Sequence, residues 1–366
     1  MFKSTDGNEV ILGASGSGKT YVAKDEIRRI RAEGKPIFII DAFGEYNALV
    51  KNLGGAVVDS SSDYTINPLD LTIRLGEESG TERNLESKAT FLINLVNLIG
   101  GEKSEFEGRD CGELIPIHPS DFDKATSAIK EMYLPYIAEC REKNVDRDIS
   151  IAPTLKDLKE TFAKAGLNGA ALTVELVEGL SFINKHTYMP DSDLVSVNLG
   201  SCGERLRNVY MFIAVEHAVR NAIRDYYYRK KQFGSIFIEE IQRLFYHDLV
   251  SEQCVYNMMV TWFKLTYKYG YRIVGITQDV DLFDWCGIEI EHLTETVIML
   301  KMCKHGRQML VKNGLIGKEQ ADDLQYDNCE PGEGYIRKGD VLKKFKQETA
   351  PDEYDRIRMT KQVWFR

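Results

Sequence analysis

The sequence has no run of about 18 or more apolar residues, so no segment reads as a membrane-spanning helix. Its first residues carry no charged stretch leading into an apolar one, which reads against a secretory signal; a soluble chain that stays inside the cell is expected. Cysteine is sparse: the seven residues Cys111, Cys140, Cys202, Cys254, Cys286, Cys303 and Cys329 are scattered, odd in number and never spaced as CxxC. That pattern argues against a disulfide framework or a zinc knuckle and for reduced cytosolic thiols. None of the six histidines falls at a paired ligand spacing, so no structural transition metal is expected. Positive charge is also in deficit, with 47 Lys and Arg against 56 Asp and Glu and a net charge of -9. Such a surface is not built for sequence-independent nucleic-acid binding, although a local basic stripe would still permit DNA contact. Internal repeats and low-complexity tracts are lacking as well.

What is there is a chain of 366 residues, 43% hydrophobic and 28% charged, long enough for one large core plus a second packed unit. Met1 to Glu9 pass almost directly into a strand, which suggests a domain cut from a longer protein. Glu9 to Leu12 read as that strand, Gly13 to Gly18 as a glycine-rich turn, and Lys19 to Ala32 as a helix. A strand from Pro36 to Ile40 ends in Asp41; a helix from Glu45 to Leu53 stops at Gly54-Gly55 before a strand from Ala56 to Val58. This alternation predicts right-handed crossovers and a mainly parallel sheet flanked by helices, an α/β fold.

From about Leu85 to Asn184 the pattern turns helical, with amphipathic runs at Ala89 to Ile99, Asp121 to Cys140, Leu155 to Ala165 and Ala170 to Ile183. Polar turns at Gly100 to Gly112 and Asn144 to Pro153 separate them, and Thr154 is placed as an N-cap. The α/β pattern returns with a strand at Leu194 to Leu199, a helix from Arg205 to about Lys231, and a strand at Ser235 to Ile238. A helix at Glu252 to Tyr267, strands at Tyr271 to Ile276 and Thr296 to Leu300, and an edge strand at Gly332 to Arg337 complete the reading. The expected organisation is 1–76 as the first part of the α/β core, 77–190 as an all-helical insert domain, and 191–366 as the second part of the core.

The strongest chemical signal is Gly13-Ala14-Ser15-Gly16-Ser17-Gly18-Lys19-Thr20, a full GxxxxGK[ST] match between strand and helix. Its glycines let backbone N–H groups turn inward around phosphate oxygens at a helix N-terminus. Lys19 would reach the β- and γ-phosphates and Thr20 would give a hydroxyl to Mg2+; Gly13 to Tyr21 are therefore the candidate ATP-binding residues. Ile236-Phe237-Ile238-Glu239-Glu240 is an apolar strand tipped by two acids, at the sheet edge where ligands of open parallel sheets sit. Glu239 is assigned to the Mg2+ shell through water, and Glu240 to orienting or deprotonating the attacking water. Gln278, in Gly275-Ile276-Thr277-Gln278-Asp279, is the sensor candidate for the γ-phosphate, alongside a turn-capping reading of Thr277 or Asp279. Asp41 and Glu45 read as accessory acids, one of them explained by capping the next helix. Arg220, Arg224, Arg229 and Arg307 are candidate arginine fingers for a neighbouring subunit, with Arg224 and Arg307 preferred. Arg229-Lys230-Lys231 equally reads as a basic helix end, Lys343, Lys344 and Lys346 as a solvated face, and Tyr226-Tyr227-Tyr228 as one core ring and two rim rings.

Taken in order, GASGSGKT, IIDAFGEYNALVKNLGG, INPLDL, the helical insert, FIEEIQRLF, GITQD and PGEGYIRKG resemble the C-terminal ATPase domain of conjugative type IV secretion ATPases, the VirB-four/TrbE/TraC class. The Asp41 to Tyr46 block and Asn67-Pro68-Leu69-Asp70 are its more specific parts. The resemblance implies a RecA-like motor domain of the FtsK/HerA lineage, usually preceded by a separate N-terminal domain. It also implies secretion-system partners at the cytoplasmic face of the inner membrane and a homo-oligomeric ring, a hexamer in the intact system, with a monomer open for the isolated domain. Lys19 and Thr20 match its Walker A positions, Glu239 and Glu240 its Walker B acids, and Gln278 the glutamine of its third motif. Two positions depart from the family pattern: Glu239 stands for the usual aspartate, and Phe43 for an acid before Gly44. Three functions follow: a secretion and conjugation ATPase, a DNA-translocating motor of the coupling-protein or HerA type, and a nucleotide-gated scaffold with little hydrolysis.

Overall fold

The structure, a computed structural model, describes residues 7–59, 61–107, 116–180, 182–229, 233–244, 249–280 and 293–347. Its strands are β1 (Glu9–Leu12), β2 (Ile37–Asp41), β3 (Ala56–Asp59), β4 (Leu194–Asn198), β5 (Gly234–Glu239), β6 (Tyr271–Thr277), β7 (Thr296–Leu300), β8 (Glu333–Lys338) and β9 (Val341–Lys346). They form a nine-stranded sheet in the order β3-β4-β2-β5-β6-β1-β7-β8-β9. Pairings from β3 through β7 are parallel, whereas β7–β8 and β8–β9 are antiparallel. The inner strands are buried along their length, and Val, Ile and Leu runs such as Val10-Ile11-Leu12 suit strands covered on both faces. This is the RecA-like α/β architecture.

The helices are α1 (Lys19–Ala32), α2 (Asn47–Asn52), α3 (Glu78–Glu107), α4 (Phe122–Glu142), α5 (Leu155–Lys164), α6 (Asn168–Glu178), α7 (Glu204–Arg224), α8 (Leu249–Lys268), α9 (Lys304–Lys312) and α10 (Lys318–Asp323). On one face of the sheet, Val22, Ile27 and Ile30 of α1 and Leu49 and Val50 of α2 pack with Ile11, Ile39, Phe237 and Val274. On the other face, Ile40, Val197, Ile236 and Ile238 share a single core with α7, α8 and the helices from α3 to α6, through Phe91, Tyr133, Phe162, Phe212 and Trp262. The helical stretch therefore has no separate core; it is one layer of the same molecule.

Several element boundaries differ from expectation for local reasons. α3 runs on through Gly100 and Gly101 to Glu107 instead of breaking at the glycine pair. The preceding turns, buried at Leu92, Leu95, Val96 and Ile99, hold the helix in register against the cost of two glycines. α2 begins at Asn47 rather than Glu45, because residues 43–46 are wound around the Asp41 carboxylate. α5 has the expected Thr154 as its N-cap, where a capping box with Asp157 is formed. β8 is not the edge: β9, with Lys343, Lys344 and Lys346 on it, takes that place.

Candidate functional site

β1 delivers the chain at the carboxyl edge of the sheet, and two backbone bonds strap the turn that follows to neighbouring strand ends. Gly13 N–H donates to Thr277 O at 3.3 Å and Ala14 N–H to Lys301 O at 3.0 Å. Gly16 and Gly18 have φ of +74° and +99°, where a side chain would be strained. A Cβ on Gly18 would also stand 2.5 Å from the Gly332 nitrogen. Gly332 N–H donates to Ser17 O at 2.9 Å, so the segment before β8 is laid against the turn. α1 opens at Lys19 with no side-chain cap and no acid in its first turn. Its positive end is left for an anion. Lys19 Nζ meanwhile donates to Gly13 O at 2.7 Å and Ala14 O at 3.1 Å.

Sheet order places the acids beside this turn: β6 separates β1 from β5, and β2 lies beyond β5. Asp41 is fully buried and accepts from the amides of Phe43, Gly44, Glu45 and Tyr46, at 2.7 to 3.3 Å. Burial pushes its pKa up against the pull of those amides. The loop it shapes presents Glu45, whose carboxylate accepts from Thr20 Oγ1 at 2.8 Å. Glu239 is buried, and its Oε2 finds no partner among the described residues. Burial, then the negative charges of Asp41 and Glu45, hold its carboxyl well above the usual range. Thr20 and Glu239 thus offer an all-oxygen set with an unsatisfied acceptor, which fits Mg2+. Among the described residues, no three His, Cys, Asp or Glu side chains gather into a metal cage.

Glu240 stands at φ +52°, an uncommon conformation for a residue with a side chain. Its carboxylate accepts from Gln278 Nε2 at 3.3 Å and from Gln242 Nε2. At the end of β6, Asp279 N–H donates to Thr277 Oγ1 at 3.0 Å; the helix that such a bond was expected to cap lies outside the described residues. These groups enclose a cavity of about 320 Å³ lined by Ser15, Gly16, Gly18, Lys19, Thr20, Tyr21, Lys24, Phe43, Gly44, Glu45, Glu239, Glu240, Arg243 and Gln278. Gly13, Ala14, Ser17 and Asp41 do not line it; they shape the walls.

Lys24 and Arg243 belong to this lining without having been singled out in the sequence. Lys24 lies four residues after Thr20 on α1, a spacing that puts both on one helix face and could have revealed it. Burial lowers its pKa, while Glu45, Glu239 and Asp41 oppose the shift. The expected fingers fare differently. Arg224 is committed to Asp146, with Nε–Oδ2 at 2.5 Å and an Nη–Oδ1 contact at 3.1 Å, and Arg220 to Glu216 and Ser87. Both pairs are half-buried or deeper, so neither arginine is poised to leave for a neighbour. Arg307 bonds Ala321 O at 3.3 Å and is only loosely paired with exposed Asp322 at 3.5 Å. The Arg229 side chain lies outside the described residues.

A second cavity of about 290 Å³ lies at the opposite, amino end of β2, β4, β5 and β6, lined in part by Phe38, Arg147, Asp193, His217 and Tyr271. It shares no residue with the phosphate turn.

The model of a protein family described as "Helicase HerA, central domain" matches residues 10–246. Among solved structures, VirB4 of Thermoanaerobacter pseudethanolicus is 19% identical with a TM-score of 0.71, over 96% of this chain and 93% of that one. The plasmid coupling protein TrwB in complex with ADP and Mg2+ is 13% identical with a TM-score of 0.58, over 94% and 86%. TrwB with the non-hydrolysable analogue ADPNP is 14% identical with a TM-score of 0.56, over 94% and 85%. These likenesses are of fold. No curated protein sequence matches the chain significantly.

Proposed function

Because this chain belongs to the helicase HerA central-domain family, we propose that it is the ATP-hydrolysing motor domain of a conjugative type IV secretion system. In this reading it works as a homo-oligomer at the cytoplasmic face of the inner membrane and drives pilus assembly and substrate transfer. One observation carries the catalytic part: a single cavity unites the phosphate turn, the unsatisfied buried acid Glu239, and the strained Glu240 bonded to Gln278. Support for the biological setting comes from the extent of the likeness to VirB4, and for the ligands from TrwB, solved with ADP and Mg2+.

The amides of Gly13 to Thr20 take up the phosphates, and Lys19 exchanges the Gly13 and Ala14 carbonyls for β- and γ-phosphate oxygens. Thr20 Oγ1, released from Glu45, would hold Mg2+ together with Glu239 acting through water. When bound, that ion neutralises charge developing on the phosphates. Glu240 orients the attacking water and accepts its proton on the carboxylate, while Gln278 fixes that carboxylate and reaches the terminal phosphate. Tyr21, next to Gly332, walls the side of the cavity nearest the end of the turn.

Lys19→Ala is expected to abolish nucleotide binding. Glu240→Gln should still bind a labelled ATP analogue while turnover drops about 10²-fold or more. Unchanged turnover in both variants would remove the hydrolytic role. The family's helicase description favours one second reading, a DNA-translocating motor, for which hydrolysis must be stimulated by DNA and the stimulation must fall with salt.

A further inference from the structure

Arg243 sits on the short 3₁₀ turn Ile241–Leu244 that follows Glu240, and Arg243 N–H donates to Glu240 O at 2.9 Å. The strained Glu240 backbone thereby directs two side chains into one cavity, its own carboxylate and, one turn on, the guanidinium of Arg243. That guanidinium is poorly satisfied. Its Nε is buried with no partner among the described residues, and it is paired with Glu204, at 3.5 Å and 77% exposed. Its other support is the Phe43 ring, whose centroid lies 5.4 Å away. Arg207 uses the same ring at 5.2 Å and the same Glu204 at 4.0 Å, and its Nε is likewise buried without a partner. Two cations share one aromatic face and one solvent-screened carboxylate, so Arg243 keeps guanidinium donors that an added anion can take.

Only Arg243 of the two lines the cavity. It lines the same cavity as the phosphate turn with its Lys19 and as Glu45, Glu239 and Glu240. An anion seated on the turn by its inner phosphates would carry its outermost phosphate into the space that Arg243 also lines. We propose that Arg243 is a cis ligand of the terminal phosphate, held against Phe43 and Glu204 until a triphosphate arrives, and that it makes the site discriminate ATP from ADP. The planar fork suits a phosphate with two free oxygens, which ADP does not present at that depth. Because Glu204 and Arg207 stand in the first turn of α7, the exchange also loosens an ion pair at the mouth of that helix. The inference rests on the nucleotide-site reading above.

The test is equilibrium titration of the 366-residue chain with ADP and with ADPNP, both in Mg2+. The wild type is expected to prefer ADPNP, and Arg243→Ala should lose about tenfold or more in ADPNP affinity, the scale of one charge-assisted hydrogen bond, with ADP affinity within about twofold. Arg243→Lys should recover part of the preference. Should Arg243→Ala fail to fold, exposed Glu204→Ala decides, because freeing the guanidinium must raise the ADPNP-to-ADP preference. An unchanged ratio in the arginine variants, or in Glu204→Ala, overturns the assignment while leaving the nucleotide site intact. A wild-type chain that binds neither nucleotide overturns both.

Discussion

Glu239 and Glu240 are neighbours in sequence, yet they meet different surroundings. Glu239 ends β5 inside the molecule among other acids, whereas Glu240 turns through a left-handed backbone to meet Gln278 and Gln242 at the cavity. Environments that separate two carboxyls in this way also separate their chemical roles. A second titrating residue, His217 on α7, lies far from them, beside Phe38 at 6.0 Å and with Nε2 2.8 Å from Asn221 Nδ2. Burial, then the charges of Arg147 and Lys88, push its pKa down from 6.5 to about 3. The unfolded chain therefore binds a proton that the native chain refuses. The stability this contributes is complete above pH ~6.5 and is lost as pH falls toward ~3, at up to ~1.4 kcal/mol per unit. Urea midpoints measured from pH 7 down to about 5 should fall more steeply for the wild type than for His217→Gln; parallel profiles would dismiss His217 as the source. At this scale the sequence singled out Lys19, Thr20, Glu240 and Gln278 by type and order, and the structure brings the four to one cavity. It was silent on Arg243, because nothing local announces the turn after β5 that aims it.

Among elements, α3 is tied to α7 and α8 by buried charge rather than by apolar contact alone. Lys88 Nζ donates to Pro68 O at 3.0 Å and lies 3.3 Å from Glu216, which also accepts from Arg220 at 2.7 Å and from Trp262 Nε1 at 2.8 Å. Breaking such a pair strands a desolvated charge. Lys88→Met should cost ~3 kcal/mol, the low end for a broken buried pair since Arg220 remains. Chemical denaturation reads this directly, and a loss under ~1 kcal/mol would mean that packing alone holds α3. The same elements show what periodicity could and could not convey. Strand positions were legible as short apolar runs bounded by turn residues, and the helical character of the middle third because apolar residues recur with the helical period. The run of α3 through two glycines was not, because its buried turns pack against helices far away in the chain; the late start of α2 and the β8–β9 hairpin are local, set by the Asp41 carboxylate and the Gly339-Asp340 turn, and no apolar period marks either.

For the molecule as a whole, the open questions concern neighbours. No described helix is long and apolar enough to cross a membrane. Arg220 and Arg224 are held by internal carboxylates; Arg307 is comparably buried but the most loosely paired of the three, which keeps it as the candidate for a neighbour's site. If subunits complete one another's sites, specific ATPase activity should rise with protein concentration, by about tenfold or more across the assembly range. Arg307→Ala should flatten that rise; a flat wild-type profile would make each chain self-sufficient. The common core beneath the sheet and the outer helices bears on how such a machine could push. A tool whose handle is cast in one piece with its head has no jaw to open, so in a ring of such chains a load borne on α4 to α6 would move with the sheet beneath it. Work of that kind would be delivered at the seams between copies.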